Sequence, residues 1–167
     1  MNYLIILCGY SFSGKSTLAS KLVKSLVDAS IISLDQINKL LGFDISGEIS
    51  LKEWENTHKI VCDKIETNKK NFLIIDDTNM FKKHRDRFIN SGDKAGRKSL
   101  IIFVDTSQKE VRNRYAKIKD ERHLPPLAAF NYVIENFEKP KSDENFIVYS
   151  TNTDYKEFLE NLLKQLT

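Results

Sequence analysis

Apolar positions along the chain gather in five short runs, separated by stretches in which they recur every three or four residues. The runs are Tyr3-Leu4-Ile5-Ile6-Leu7, Ser30-Ile31-Ile32-Ser33-Leu34, Asn71-Phe72-Leu73-Ile74-Ile75, residues 99–105 and Asn145-Phe146-Ile147-Val148-Tyr149. Each is short, rich in β-branched side chains and bounded by turn formers, as strands buried on both faces are. The intervening stripes read as helices. Leu18, Leu22, Val23 and Leu26 form the first, and Ile37, Leu40 and Leu41 a short second one. Ser50-Leu51-Lys52-Glu53 matches a capping box, opening a helix with Leu51, Trp54, His58, Val61 and Ile65 on its apolar face. A basic helix with Phe88 and Ile89 inward is expected over 82–98, closing at Gly92 or Gly96. A second box, Ser107 to Glu110, precedes Val111, Tyr115 and Ile118; a Pro-started helix carries Phe130, Val133, Ile134 and Phe137; and Tyr155, Phe158, Leu159, Leu162, Leu163 and Leu166 line a closing helix. Strands alternating with helices predict an α/β fold with a doubly wound, five-stranded parallel sheet in one domain over 1–167.

The first strand runs into Gly9-Tyr10-Ser11-Phe12-Ser13-Gly14-Lys15-Ser16-Thr17 and then straight into a helix. That order of strand, glycine loop and helix is what a phosphate-binding P-loop needs. Glycines let successive N–H groups turn toward one anion, and the helix N-terminus adds its positive end. Lys15 would reach the β- and γ-phosphates of ATP, and the Ser16 hydroxyl would hold Mg²⁺. Two more strands end in carboxylates, at Asp35 and at Asp76-Asp77. Ligands of parallel α/β sheets lie at the carboxyl ends of the strands, so Asp35 is a candidate beside the loop, and a helix N-cap is a compatible role for it. Asp76 fits the position of a metal carboxylate; adjacent strand residues face opposite ways, so one of Asp76 and Asp77 is expected to point at the site. Asn79 is a candidate N-cap for the helix that follows. Arg112, Arg114 and Arg122 with Pro125-Pro126 suggest a lid over about 112–126.

Composition narrows the setting. The chain has 167 residues, 41% of them hydrophobic, enough for one full core. No apolar run approaches the ~18–20 residues of a membrane span, and there is no signal-peptide pattern, so a soluble, cytoplasmic protein without membrane contact is expected. Cys8 and Cys62 sit in apolar patterns without metal-ligand spacing and read as packing residues. His58 falls in the apolar stripe of its helix and reads as a partly buried histidine, and Trp54 reads as core. The net charge of +3 is small, yet residues 82–98 hold seven Lys/Arg against two Asp, a local basic face. The loop over 42–47 carries breakers and no apolar period.

On Gly9 to Ser16, Asp35, and Asp77-Thr78-Asn79 followed by Arg85, the chain resembles the small P-loop kinases of the polynucleotide 5′-hydroxyl kinase type. That group includes seryl-tRNA kinases and several small-molecule and antibiotic kinases. The resemblance implies a nucleoside-monophosphate-kinase-like P-loop fold with a helical lid. It further implies Asp35 as general base, Lys15 and Ser16 serving ATP and Mg²⁺, and Asp77, Asn79 and Arg85 bordering the acceptor. A lid arginine, Arg114 with Arg122 as substitute for the second of the group, would contact the transferring phosphate. The adenine would lie near Thr151 and Asn152. Where polynucleotide kinases carry an arginine three residues after the base, this chain has Asn38, which points to a small-molecule hydroxyl acceptor rather than nucleic acid. A polynucleotide or tRNA terminal-hydroxyl kinase is the alternative within the same chemistry. An ATP-dependent switch without an acceptor, in which Asp35 only caps a helix, is the alternative outside it.

Overall fold

A computed structural model describes residues 2–43, 49–118, 124–150 and 152–166. In chain order the elements are β1 (Asn2–Cys8), α1 (Lys15–Ser25), β2 (Ala29–Ser33), α2 (Leu34–Leu40), α3 (Leu51–Thr67), β3 (Phe72–Asp76), α4 (Lys82–Lys94), β4 (Arg97–Asp105), α5 (Gln108–Lys117), α6 (Leu127–Asn136), β5 (Phe146–Ser150) and α7 (Tyr155–Leu166). All five strands are parallel, in the order β2-β3-β1-β4-β5. The chain steps from β1 to the far edge, returns to fill β3, and then crosses to β4 on the other side of β1. The direction of winding reverses between β3 and β1, the point at which parallel α/β sheets place a crevice at the carboxyl ends of their strands.

Strand alternation divides the core. Tyr3, Ile5 and Leu7 of β1 face a layer built on Leu18 and Leu22 of α1 and Phe158 and Leu162 of α7. Leu4, Ile6 and Cys8 face the opposite layer, with Val61 and Ile65 of α3 and Phe88 of α4. Both faces of β1 are therefore fully buried, which is why its sequence is a continuous apolar run. A smaller cluster of Tyr10, Val111, Phe130 and Ile134 ties the P-loop to α5 and α6. Among the described residues no helix is long and apolar enough to cross a membrane.

Several boundaries differ from expectation, each for a local reason. The capping box of Ser50 and Glu53 forms in both halves, but Leu51 is exposed because it stands in the first turn, outside the buried stripe of Thr57, His58, Val61 and Ile65. At α5 only half of the second box is made: Ser107 accepts from the Glu110 amide, while the Glu110 carboxylate turns to Arg114. The basic helix stops at Lys94, and Gly96, at φ 67°, turns the chain into β4. Arg97 and Lys98 are thus strand residues. Arg97 is buried and donates to the carbonyls of Asn68 and Lys70 at 2.6 and 2.9 Å, so the basic face loses it. The 42–47 loop lies mostly outside the described residues.

Candidate active site

The loop after β1 is shaped by what surrounds it. The Gly9 amide donates to Thr78 O at 3.1 Å, joining the loop to the turn after β3. A Cβ at Gly9 would stand 2.8 Å from Val104 O and 2.9 Å from Ser13 Oγ, so no side chain fits. Phe12 and Gly14 adopt left-handed φ of 63° and 101°, curling the loop onto the start of α1. Gly14 is the N-cap and supplies no side-chain bond, and the first turn of α1 has no acidic residue. The free N–H groups and positive end of α1 are thus left for an anion. Thr106 Oγ1 donates to Ser13 O at 2.9 Å and pins the loop from below. The Ser13 hydroxyl is buried in the cradle with no hydrogen-bond partner. The side chains of Tyr10 and Phe12 serve the scaffold: Tyr10 packs on Phe137, Phe12 on Tyr115 and Phe130.

Lys15 is buried and donates to Gly9 O at 3.0 Å and Tyr10 O at 2.6 Å. Burial pulls its pKa down, while Asp77, Asp76, Cys8 and Asp35 hold it up. Three carboxylates therefore bear electrostatically on one ammonium. Ser33 ends β2 opposite Asp76 at the end of β3. Ser33, not Asp35, is the N-cap of α2, accepting from the Gln36 amide at 3.4 Å. Asp35 lies in the first turn, and the capping role is filled without it. It stands open to solvent at the mouth of the site, yet crowding by protein and the charges of Asp77 and Asp76 push its pKa up to about 6, against the pull of Lys15.

Both Asp76 and Asp77 act electrostatically on Lys15 and on Asp35. The strand ends at Asp76, and beyond it alternation no longer applies. Asp77 accepts from the Asn79 amide at 3.2 Å; burial raises its pKa over the opposing effect of that bond and of Lys15. Asn79 is not the N-cap of α4, a position held by Phe81. It is fully buried at φ 45° and donates through Nδ2 to Leu7 O at 2.7 Å, tying the Asp77 turn to β1. It shapes the site from beneath and does not border an acceptor.

The arginines sort unequally. Arg114 reaches the loop: Nη1 donates to Phe12 O at 3.0 Å, while Nε is held by Glu110 at 2.8 Å. Glu110 reads from sequence only as a capping-box residue, although its spacing of four from Arg114 is also the helical ion-pair signal. Arg112 turns away to Asn131. Arg85 is a correction. Its side chain is completely buried, forked onto Glu144 at 2.7 and 2.9 Å and bonded through Nη1 to the carbonyls of Asn79 and Glu138 at 2.9 Å each. No acceptor reaches it there. Asn38, one turn after Asp35, is also fully buried and accepts from the Thr57 hydroxyl. Arg122 and Thr151 lie outside the described residues. Asn152 is exposed just past β5, its amide on Ser150 Oγ at 3.4 Å, one strand beyond β4 from the P-loop strand.

Ser16 is exposed at the start of α1 and Asp76 half-buried at the end of β3. These are hard oxygen donors, two in number, and among the described residues no group of three or more His, Cys, Asp or Glu is placed to hold a metal. That donor set fits Mg²⁺, which keeps several waters and takes phosphate oxygens rather than an all-protein cage.

Residues 4–140 match the family model of the AAA domain, AAA_33. The chain belongs to this AAA-domain family. Similar solved structures have the same fold. Chaetomium thermophilum Kti12, solved with ADP-AlF3, is 16% identical with a TM-score of 0.78, covering 98% of this chain and 97% of that one. A sugar kinase from Janibacter sp. HTCC2649 is 14% identical with a TM-score of 0.77, covering 99% and 95%. The Mycobacterium tuberculosis APS kinase CysC, solved with AMPPNP and APS, is 17% identical with a TM-score of 0.71, covering 99% and 97%. The AAA-domain chain thus has the five-stranded parallel P-loop architecture through nearly its whole length.

Proposed function

We propose that this AAA-domain protein is an ATP-dependent phosphotransferase that moves the γ-phosphate of ATP to a hydroxyl of a small molecule. The observation that carries the reading is Asp35: a carboxylate at the carboxyl edge of the sheet, beside the P-loop lysine, free of capping duty and with its pKa raised to about 6. A general base works best when its pKa lies near the operating pH. Loop amides and the N-terminus of α1 would hold the phosphates, and Lys15 would leave the carbonyls of Gly9 and Tyr10 for the β- and γ-oxygens. Ser16 and Asp76 would hold Mg²⁺, whose charge neutralises the phosphate oxygens. Asp35 would accept the proton as the acceptor oxygen bonds to the γ-phosphorus and the bond to the β,γ-bridging oxygen breaks, releasing ADP. Arg114, steadied by Glu110 over the loop, would meet the charge that develops on the transferring group.

A small acceptor is supported by where the cations are. Asn38 is neutral and buried against Thr57, and Arg85 and Arg97 are consumed inside the fold, so the basic stretch offers a nucleic-acid backbone less than its sequence suggests. The test is transfer from γ-labelled ATP to a panel of sugars, nucleosides, aminoglycosides and 5′-hydroxyl oligonucleotides, with wild type and Asp35→Asn. Wild type should label a small hydroxyl compound, with kcat/KM for the acceptor falling tenfold per pH unit below about 6. Asp35→Asn should lower transfer by about 10²–10⁴-fold, flatten that limb and leave ATP affinity unchanged. Full transfer by Asp35→Asn would remove the base; robust labelling of oligonucleotides alone would reassign the acceptor.

A further inference from the structure

Five aromatic rings run in an unbroken row from α6 to α3. Tyr132 on α6 meets Phe81 edge-on, with centroids 6.5 Å apart, and Phe81 meets His84 at 5.3 Å. His84 packs on His58 at 4.8 Å, and His58 on Trp54 at 6.0 Å. The row thus links α6 to the beginnings of α4 and α3. A helix that precedes or follows a strand in a parallel sheet runs antiparallel to it, so α3, leading into β3, and α4, leaving it, both start at the carboxyl edge. The chain connects the row to the carboxylates twice. Phe81 lies four residues past Asp77, on the same turn. His58 follows Thr57, whose hydroxyl bonds Asn38 one turn beyond Asp35.

Burial separates floor from surface. His58 is buried on Phe88, whereas Phe81, His84 and Trp54 are half-exposed and Tyr132 is 53% exposed. Phe81 and Tyr132 belong to none of the three apolar clusters, so the core does not account for them. The row is also electrically quiet. Burial pushes both imidazoles down to about 4, helped for His58 by Arg87 and for His84 by His58, so both are neutral at pH 7. The neighbouring cations are engaged: Lys82 with Asp86, Arg85 with Glu144, and Arg87 with Glu55. Lys83 lies over the Phe81 ring at 5.3 Å. Such a surface offers ring faces and at most one charge to a phosphate chain.

We propose that this row is an acceptor subsite for a flat, uncharged heteroaromatic ring, and that the acceptor is a nucleoside whose base stacks at Phe81 and Tyr132 while its sugar hydroxyl meets Asp35. The proposal rests on the phosphotransferase reading and names the substrate class of that same site. Base stacking on an aromatic side chain contributes about 1–3 kcal/mol, which is about 5- to 150-fold in affinity.

The test is calorimetric titration of adenosine, guanosine, cytidine and uridine, with ribose as the ringless control, into protein saturated with AMPPNP so that the ATP site is closed to them. Transfer from γ-labelled ATP to the same compounds follows. At least one nucleoside should bind well above ribose and be labelled. Tyr132→Ala and Phe81→Leu should each raise its Kd and KM by about 5- to 150-fold, with AMPPNP affinity and melting temperature unchanged for the exposed Tyr132; Tyr132→Phe should restore binding. Nucleosides that bind no better than ribose would overturn the proposal, as would nucleoside affinity indifferent to both substitutions. A 5′-hydroxyl oligonucleotide preferred over every nucleoside would overturn it too. Labelling of sugars with no response to bases sinks the stacking site and leaves the kinase standing, whereas the kinase reading fails separately if no compound accepts phosphate.

Discussion

Arg85→Met should destabilise the fold strongly without touching the chemistry. The arginine makes two bonds to Glu144, at 2.7 and 2.9 Å, and two to the carbonyls of Asn79 and Glu138 at 2.9 Å, with none of its side chain exposed and 2% of its partner's. Methionine fills the volume and leaves a carboxylate buried without its cation. Breaking such a pair from one side costs about 3–5 kcal/mol. At an unfolding entropy of about 2.1 cal/mol/K per residue, a chain of this length loses about 0.35 kcal/mol per degree, so Tm should fall by about 9–14 °C. The pH dependence carries a second signature. Against burial, which raises it, the Arg85 bonds hold the Glu144 carboxyl below its ordinary value. The pair's contribution is therefore present above the ordinary carboxylate value and lost as pH falls below it, through the depressed native value, and the gap between wild type and variant should narrow on acidification. Arg85→Met with Glu144→Leu should recover much of the loss, since an apolar pair of similar volume replaces the ions. Differential scanning calorimetry at pH 7 and near pH 4 reads all three. A variant melting within about 2 °C of wild type while acceptor KM rises would refute the buried brace and return Arg85 to the acceptor site.

Lys15→Ala should abolish transfer and weaken ATP binding with the circular dichroism spectrum intact; unchanged ATP affinity by calorimetry would refute the P-loop assignment. Gly9→Ala places a Cβ 2.8 Å from a strand carbonyl and should cost about 1–3 kcal/mol by urea titration, with loss of nucleotide binding. His58 is 4% exposed and its pKa is pushed down to about 4, chiefly by burial, so it contributes stability above its ordinary value of 6.5 that is lost as pH falls toward 4. The loss is at most about 1.4 kcal/mol per pH unit, and urea titrations of His58→Leu over pH 4–7 should show a shallower acid slope; an unchanged slope would place the acid sensitivity elsewhere.

The elements that were legible in the sequence are those whose burial is complete. β1 is covered on both faces, so its pattern could only be an apolar run, and of the glycines in the following loop Gly9 is demanded by a contact of 2.8 Å and Gly14 by its φ of 101°. The Ser50 and Glu53 box was readable because both of its partners lie three residues apart. Polar residues whose partners are distant were not. Arg85 and Glu144 are separated by 59 residues, and nothing local to either indicates that the crossover from α6 to β5 brings them together. The resemblance placed Arg85 beside the Asp77 turn, and so it is, but position in an element does not determine where a long, flexible side chain ends. Asp35 was ambiguous for another reason: Ser33, the cap that forms, lay inside the run read as a strand, and which residue caps α2 depends on where β2 stops. That stop is set by the last register pair, Ser33 with Asp76. One pairing thus ends two strands together, hands the cap to Ser33, leaves Asp35 at the mouth of the site, and places Asp77 beyond strand alternation, with the charges of three carboxylates bearing on one lysine. The chemistry of the site follows from a register that joins segments 43 residues apart, which is why the sequence displays its parts in order and conceals their arrangement.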